Sequence, residues 1–267
     1  MNYQKFKRNI QDICNICKKK SQLSWDHIPP KGGVELLPME IEGIYKILMN
    51  KQNEGERQFV ITQNGVKYRT ICKECNSLLG TRYDPVLNEF SISLSKLLKS
   101  NLYLPCPIIK IKTRPNAIIR GILGHLLAAK IEFFESPFDE KIRLFLADEK
   151  SLLPDDISIF YWLYPYNQTV IFRDFSMPAI RGIYNEWGFF NVIKYFPLAY
   201  IITNLKSYDS LPELSYYREF DLTMEIEMKI DLRNIRKRDW PEHVGPNDVI
   251  LLGKDGLDSI RAKPRKI

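Results

Sequence analysis

The 267-residue chain is 45% hydrophobic and 27% charged, with a net charge of +7; this excludes wholesale disorder and leaves room for one large domain or two ordinary ones. Its longest apolar run, Phe189 to Thr203, is broken by Asn191, Lys194 and Pro197, short of the ~18–20 apolar residues a membrane span needs. The polar, basic stretch from Met1 to Asn9 has no apolar segment behind it, so the expectation is a cytoplasmic protein whose paired cysteines bind metal rather than form disulfides.

The first 31 residues set Lys5, Lys7, Arg8, Lys18, Lys19, Lys20 and Lys31 against only Asp12 and Asp26, a balance that suits a polyanion. Within this stretch Cys14 and Cys17 form one Cys-x-x-Cys pair, and Cys72 and Cys75 form another. Such spacing lets a tight knuckle present two thiolates about 2.3 Å from one ion, and two knuckles complete a closed tetrahedral Zn²⁺ site of structural kind. The 54 residues between Cys17 and Cys72 exceed the spacer of a simple zinc ribbon, roughly 15–20 residues. They contain Trp25-Asp26-His27-Ile28-Pro29-Pro30-Lys31-Gly32-Gly33. In a regular strand Asp26 and His27 point to opposite faces; at a strand end or bulge they can converge. A carboxylate suits a hard cation and a neutral imidazole can take a proton from water, the two tasks of phosphodiester hydrolysis.

Past Asn76, Asp84-Pro85 reads as an N-cap and first helical residue, and Val86, Leu87, Phe90, Leu94, Leu97 and Leu98 follow at helical spacing to Ser100. The Leu102–Pro107 stretch reads as a linker, with Cys106 as an inert packed thiol. Pro115 to Ile131 has a broad apolar helical face, on which His125 reads as a packed residue. Ser158–Tyr164 and Thr169–Asp174 read as a hairpin turning at Pro165-Tyr166-Asn167-Gln168. Gly188–Ile193 pairs with Leu198–Thr203, and Leu222–Leu232 alternates as a half-buried strand. His243 reads as an exposed loop residue. The basic tail, Arg261, Lys263, Arg265 and Lys266, suits either a polyanion or a frayed terminus.

The order Cys-x-x-Cys, Asp26-His27-Ile28-Pro29-Pro30-Lys31 with Gly32-Gly33, then Ile71-Cys72-Lys73-Glu74-Cys75-Asn76 resembles the HNH endonuclease superfamily, in a bacterial subgroup with an Asp-His-(Val/Ile)-Pro-Pro-Lys signature. The resemblance covers about residues 10 to 90. It implies a zinc-stapled ββα-metal nuclease module over residues 1–100; with the helix and strand patterns that follow, the expected fold class is α+β, a larger mixed α+β domain occupying 101–267. It implies His27 as general base, and Asp26 and Asn76 as ligands of a catalytic Mg²⁺ or Mn²⁺. Lys18, Lys19, Lys20 and Lys31 would then contact the nucleic acid, DNA in the first instance. The middle Asn of the pattern has no counterpart: Asn64 lies too far upstream and 67–70 offer none. Family-level expectations extend to homodimers, to an antiviral or restriction role, and to a regulatory ligand or partner on the second domain. The rival expectation is a zinc-stabilised nucleic-acid-binding module without catalysis.

Overall fold

The computed structural model describes residues 6–45, 59–100, 106–132, 136–180, 183–243 and 249–265. A three-stranded antiparallel sheet near the N-terminus runs β1 (Gln11–Ile13), β2 (Lys20–Ile28) and β5 (Val66–Cys72) in that order. Helix α1 (Lys73–Leu78) leaves β5 directly and passes through a π-turn, Leu79–Tyr83, into α2 (Asp84–Leu98). The strand–strand–helix order expected around Asp26 and Asn76 is therefore present as local geometry.

The large sheet draws on both ends of the chain. Its order is β4 (Val60–Thr62), β3 (Met39–Gly43), β13 (Ile260–Pro264), β8 (Thr169–Ile180), β9 (Ile183–Tyr195), β10 (Leu198–Thr203) and β7 (Ser158–Leu163), with β12 (Leu251–Leu252) beside β8. A separate ribbon pairs β6 (Ile108–Thr113) with β11 (Ile226–Asp231). Two helices complete the fold: α3 (Pro115–Ala128) and α4 (Pro137–Ala147). The chain is thus mixed α+β, and among the described residues no helix is long and apolar enough to cross a membrane.

Helix α3 is the hub. Every one of its residues is buried, so its apolar side chains need partners all round rather than on one stripe. One continuous core joins Cys14, Tyr68 and Leu87 to Ile122, Ile159, Tyr200 and Ile260. The packing therefore does not divide near residue 100: β3 pairs with β13 across the chain, and the core runs through both halves. The polar groups that α3 takes inward are bonded. The Arg120 guanidinium donates to Asn116 Oδ1 (2.8 Å) and to the carbonyls of Phe145, Glu149 and Ser151. Beyond the helix, Lys130 and Arg173 face Asp139 and Asp255 in a buried charge network, the pairing that buried charges require. The aromatic side of the large sheet stacks Phe172 on Phe175 and sets Trp162 edge-on to Trp240.

Several expectations need correction. Cys106 is exposed, not packed. The basic tail is not frayed through Lys263: Arg261 and Lys263 lie in β13, and both engage Glu42 of β3. Asp84 is not an N-cap; Tyr83 holds that position and Asp84 is the first helical residue. Most of the expected linker, 101–105, lies outside the described residues.

Candidate functional site

The site starts from the two knuckles. The ligand atoms of Cys14, Cys17, Cys72 and Cys75 all lie within 4.8 Å of one another, and the Sγ atoms of Cys17 and Cys72 stand 3.8 Å apart. Four sulfurs placed tetrahedrally at 2.3 Å from one ion are separated by about 3.8 Å, so this cluster can bind a metal ion such as zinc. Backbone amides of Ile16 and Cys72 donate to Cys14 Sγ, and that of Cys75 donates to Cys72 Sγ. Such donors favour thiolate over thiol. The Cys75 thiol and these amides pull the Cys14 pKa down to about 5, while burial pushes Cys72 up to about 12.

The cluster is anchored to the hub. Asn15, between the first two cysteines, donates to the carbonyls of Leu127 and Lys130 (both 2.8 Å) at the end of α3, and Thr70 donates to Ala128. Asn15→Ala removes two buried bonds and strands two acceptors, at a cost of roughly 1–3 kcal/mol. A lowered urea midpoint with an unchanged slope is the expected readout.

A register shift between Ser24 and Trp25 interrupts the pairing of β2 with β5; beyond it Asp26 faces Tyr68, His27 faces Lys67 and Ile28 faces Val66. The alternation then follows the pleat: Asp26 and Ile28 are buried, Trp25 is exposed and His27 is half-buried. The bulge does not turn Asp26 and His27 to one side. On the outer face, Lys67 Nζ lies 5.1 Å and the Arg69 guanidinium 5.4 Å from the Trp25 ring centroid. Burial, then Lys31 and Lys67, lowers the His27 pKa to about 4, so the imidazole is neutral near pH 7. The unfolded chain takes up this proton near pH 6.5, and the folded chain only near 4; His27 therefore costs the fold stability as pH falls through that window.

Asp26 is turned into the core. Its Oδ2 meets His125 Nδ1 at 2.9 Å, and Asp84 Oδ1 meets His125 Nε2 at 2.9 Å. Burial opposes a charged imidazole, but the two carboxylates outweigh it and hold the His125 pKa well above its usual value. His125 is thus no mere packing residue: it joins β2, the start of α2 and α3 in one buried Asp–His–Asp triad.

Asn76 reaches the strand from the other side. Its Nδ2 donates to Ser24 Oγ (3.0 Å) and to the Trp25 carbonyl (2.9 Å), which leaves Oδ1 as the free acceptor. It therefore stands against the peptide that precedes Asp26. Lys31 is exposed near His27, whereas Lys19 and Lys20 sit at the far end of β2, about 23 Å away at ~3.3 Å per residue. Lys18 lies in the knuckle turn with φ of 62°.

No protein family, curated protein or solved structure matches this chain significantly.

The structure supplies residues that the sequence reading missed. Asn88 of α2 donates from Nδ2 to the Lys31 carbonyl (2.7 Å), a side chain that fixes the loop after His27. The Gly-Gly pair serves this contact: Gly32 has φ of +95°, and a Cβ on Gly33 would run into Asn88. Lys67, Arg69 and Trp25 form the basic, aromatic outer face. Spacing alone could not locate them, because their proximity depends on the β2–β5 register.

Proposed function

We propose that the chain is a metal-dependent phosphodiester hydrolase of the HNH kind, acting on nucleic acid, with DNA as its first candidate substrate. The observation that carries this reading is the outer end of β2. A neutral His27 lies there beside Lys31 and Lys67 and next to an exposed Trp25, with Asn76 bonded to the preceding carbonyl. Lysines next to a base are the reverse of what a basic imidazole wants, but they suit a phosphate. When the phosphodiester's negative charge offsets Lys31 and Lys67, His27 becomes a stronger base. His27 then takes the proton of a water that attacks phosphorus, while the lysines hold the non-bridging oxygens and Trp25 offers a face for base stacking. Asn88 keeps the Lys31 loop in place through its backbone.

Zn²⁺ is the ion we assign to the four thiolates, where it leaves no open position and serves the scaffold. For a catalytic Mg²⁺ or Mn²⁺, Asn76 Oδ1 is a donor of the right kind, a hard oxygen, and an ion held there would supply Lewis-acid stabilisation of the departing oxygen. Asp26 does not fit that role as it stands, because its carboxylate is buried against His125 on the other face of the strand from His27. A second reading, nucleic-acid binding without cleavage, is favoured by one observation: the Asp26 carboxylate is already held by His125.

Supercoiled plasmid separates the two. The nuclease reading expects nicking with Mg²⁺ or Mn²⁺ and none with chelator, whereas the binding reading expects a mobility shift with no nicks under any ion. Lys67→Ala should weaken DNA binding and reduce the slope of log K against log[salt] by about 1; an unchanged slope removes Lys67 from the interface. At limiting substrate, kcat/KM, which reports the free protein, should hold as pH falls through 6.5 and decline only towards about 4, where the unliganded His27 gains its proton. A midpoint at 6.5 or above would assign the base elsewhere.

A further inference from the structure

A cavity of about 250 Å³ opens beside the loop that follows His27. One wall is the segment from Gly33 to Leu37; the others are Ser95 and Lys99 at the end of α2, the turn Asn167–Thr169, and Tyr195–Phe196 at the end of β9. It is therefore built by both halves of the chain. Val34, Leu36, Leu37 and Met39 make part of it apolar, and Phe196 lies beneath the Lys99 ammonium, 5.3 Å from ring centroid to Nζ.

The telling residue is Gln168. It is only 6% exposed, and its Oε1 has no hydrogen-bond partner. A buried amide oxygen left unpaired costs about 1–3 kcal/mol, so such a group in a cavity wall calls for a donor from whatever fills the space. At the rim stand one cation, Lys99, and one carboxylate, Glu35, both exposed. An amide matches the mixed donor–acceptor edge of a nucleobase. Apolar and aromatic walls suit its faces, a carboxylate can accept from sugar hydroxyls, and an ammonium pairs with phosphate.

We propose that this cavity is a nucleotide-binding site: Gln168 reads the base edge, Glu35 takes a sugar hydroxyl and Lys99 the phosphate. The site is distinct from the His27 face and does not depend on the hydrolase reading. The same chemistry has two sources, a free mononucleotide or one unpaired nucleotide of a polynucleotide strand.

The test is calorimetric titration of the full-length His27→Ala chain, which removes hydrolysis as a complication, in chelator-free buffer without added Mg²⁺ or Mn²⁺. The titrants are AMP, GMP, CMP and UMP, and separately a short single-stranded oligonucleotide. Gln168→Leu and Lys99→Ala should each weaken binding roughly tenfold; thermal melts run in parallel confirm that each variant folds. Lys99→Ala, at an exposed position, keeps the proposal testable should Gln168→Leu fail to fold. Binding of a mononucleotide with these losses supports a free ligand, and binding of the oligonucleotide alone with the same losses supports a strand. No binding of either, or equal binding by wild-type and variant cavities, overturns the proposal. Loss of plasmid nicking in the parent protein bears only on the hydrolase reading.

Discussion

Stripping the metal from the four-cysteine cluster, or replacing Cys72 by Ser, is expected to unfold the N-terminal sheet and much of the hub with it. Without an ion, four sulfurs within 4.8 Å of one another cannot all be thiolates, because like charges that close repel. With zinc, all four become thiolates and join the first knuckle to the start of α1. Structural zinc contributes about 10–16 kcal/mol in small zinc peptides, comparable to the whole stability of a domain, about 5–15 kcal/mol. Because Asn15 and Thr70 bond the end of α3, the loss should spread beyond β1 and β2. Zinc content by atomic spectrometry should be one ion per chain and should fall with Cys72→Ser. The melting transition should collapse in step. A metal-free protein that melts normally would mean the cluster is only a group of packed thiols.

His125→Ala should have the second largest effect, about 3–5 kcal/mol, the usual cost of removing one partner from a buried ion pair. The change leaves Asp26, 3% exposed, and Asp84 facing each other across an empty space with no counter-charge. The damage falls on three elements at once, since the triad joins β2, α2 and α3. Chemical denaturation gives the stability term. A nicking assay at a temperature where the variant stays folded gives the functional one, since Asp26 and the His27 strand end would lose their brace. A stability change under 1 kcal/mol would show that the triad is a consequence of packing, not a contributor to it.

What the sequence made legible was local. Two Cys-x-x-Cys pairs foretold the cluster of sulfurs. Helical spacing located α2 and α3 to within a few residues, and aromatic and β-branched runs located the strands between residues 158 and 203 and the pairing of β9 with β10. The hairpin expected of Ser158–Tyr164 with Thr169–Asp174 is a correction, because β7 pairs with β10 at the sheet edge and β8 with β9 and β13. What it hid was long-range. His125 lies among Leu123, Leu126 and Leu127, and nothing near it in the chain signals a charge partner; Asp26 and Asp84 lie 99 and 41 residues away. The pairing of β3 with β13 joins segments 219 residues apart at Glu42 and Arg261, a contact that no local pattern announces. The bulge in β2 was conceivable from the sequence, but its consequence was not. The pleat resumes after it, sending Asp26 inward and His27 outward, so the carboxylate and imidazole serve different faces of the strand. Asn88, whose amide donates to the Lys31 carbonyl after His27, could not be nominated by spacing because it sits on a helix after the last cysteine.

Single-turnover cleavage of end-labelled DNA and RNA by the wild-type protein and by His27→Ala, with Mg²⁺ or Mn²⁺ near neutral pH, tests the central claim most directly. Loss of the general base should slow the chemical step by about 10²–10⁴-fold while leaving nucleic-acid binding and the melting temperature in place. Equal cleavage by the two proteins would contradict the assignment of His27, and no cleavage by either would leave the chain a binding protein.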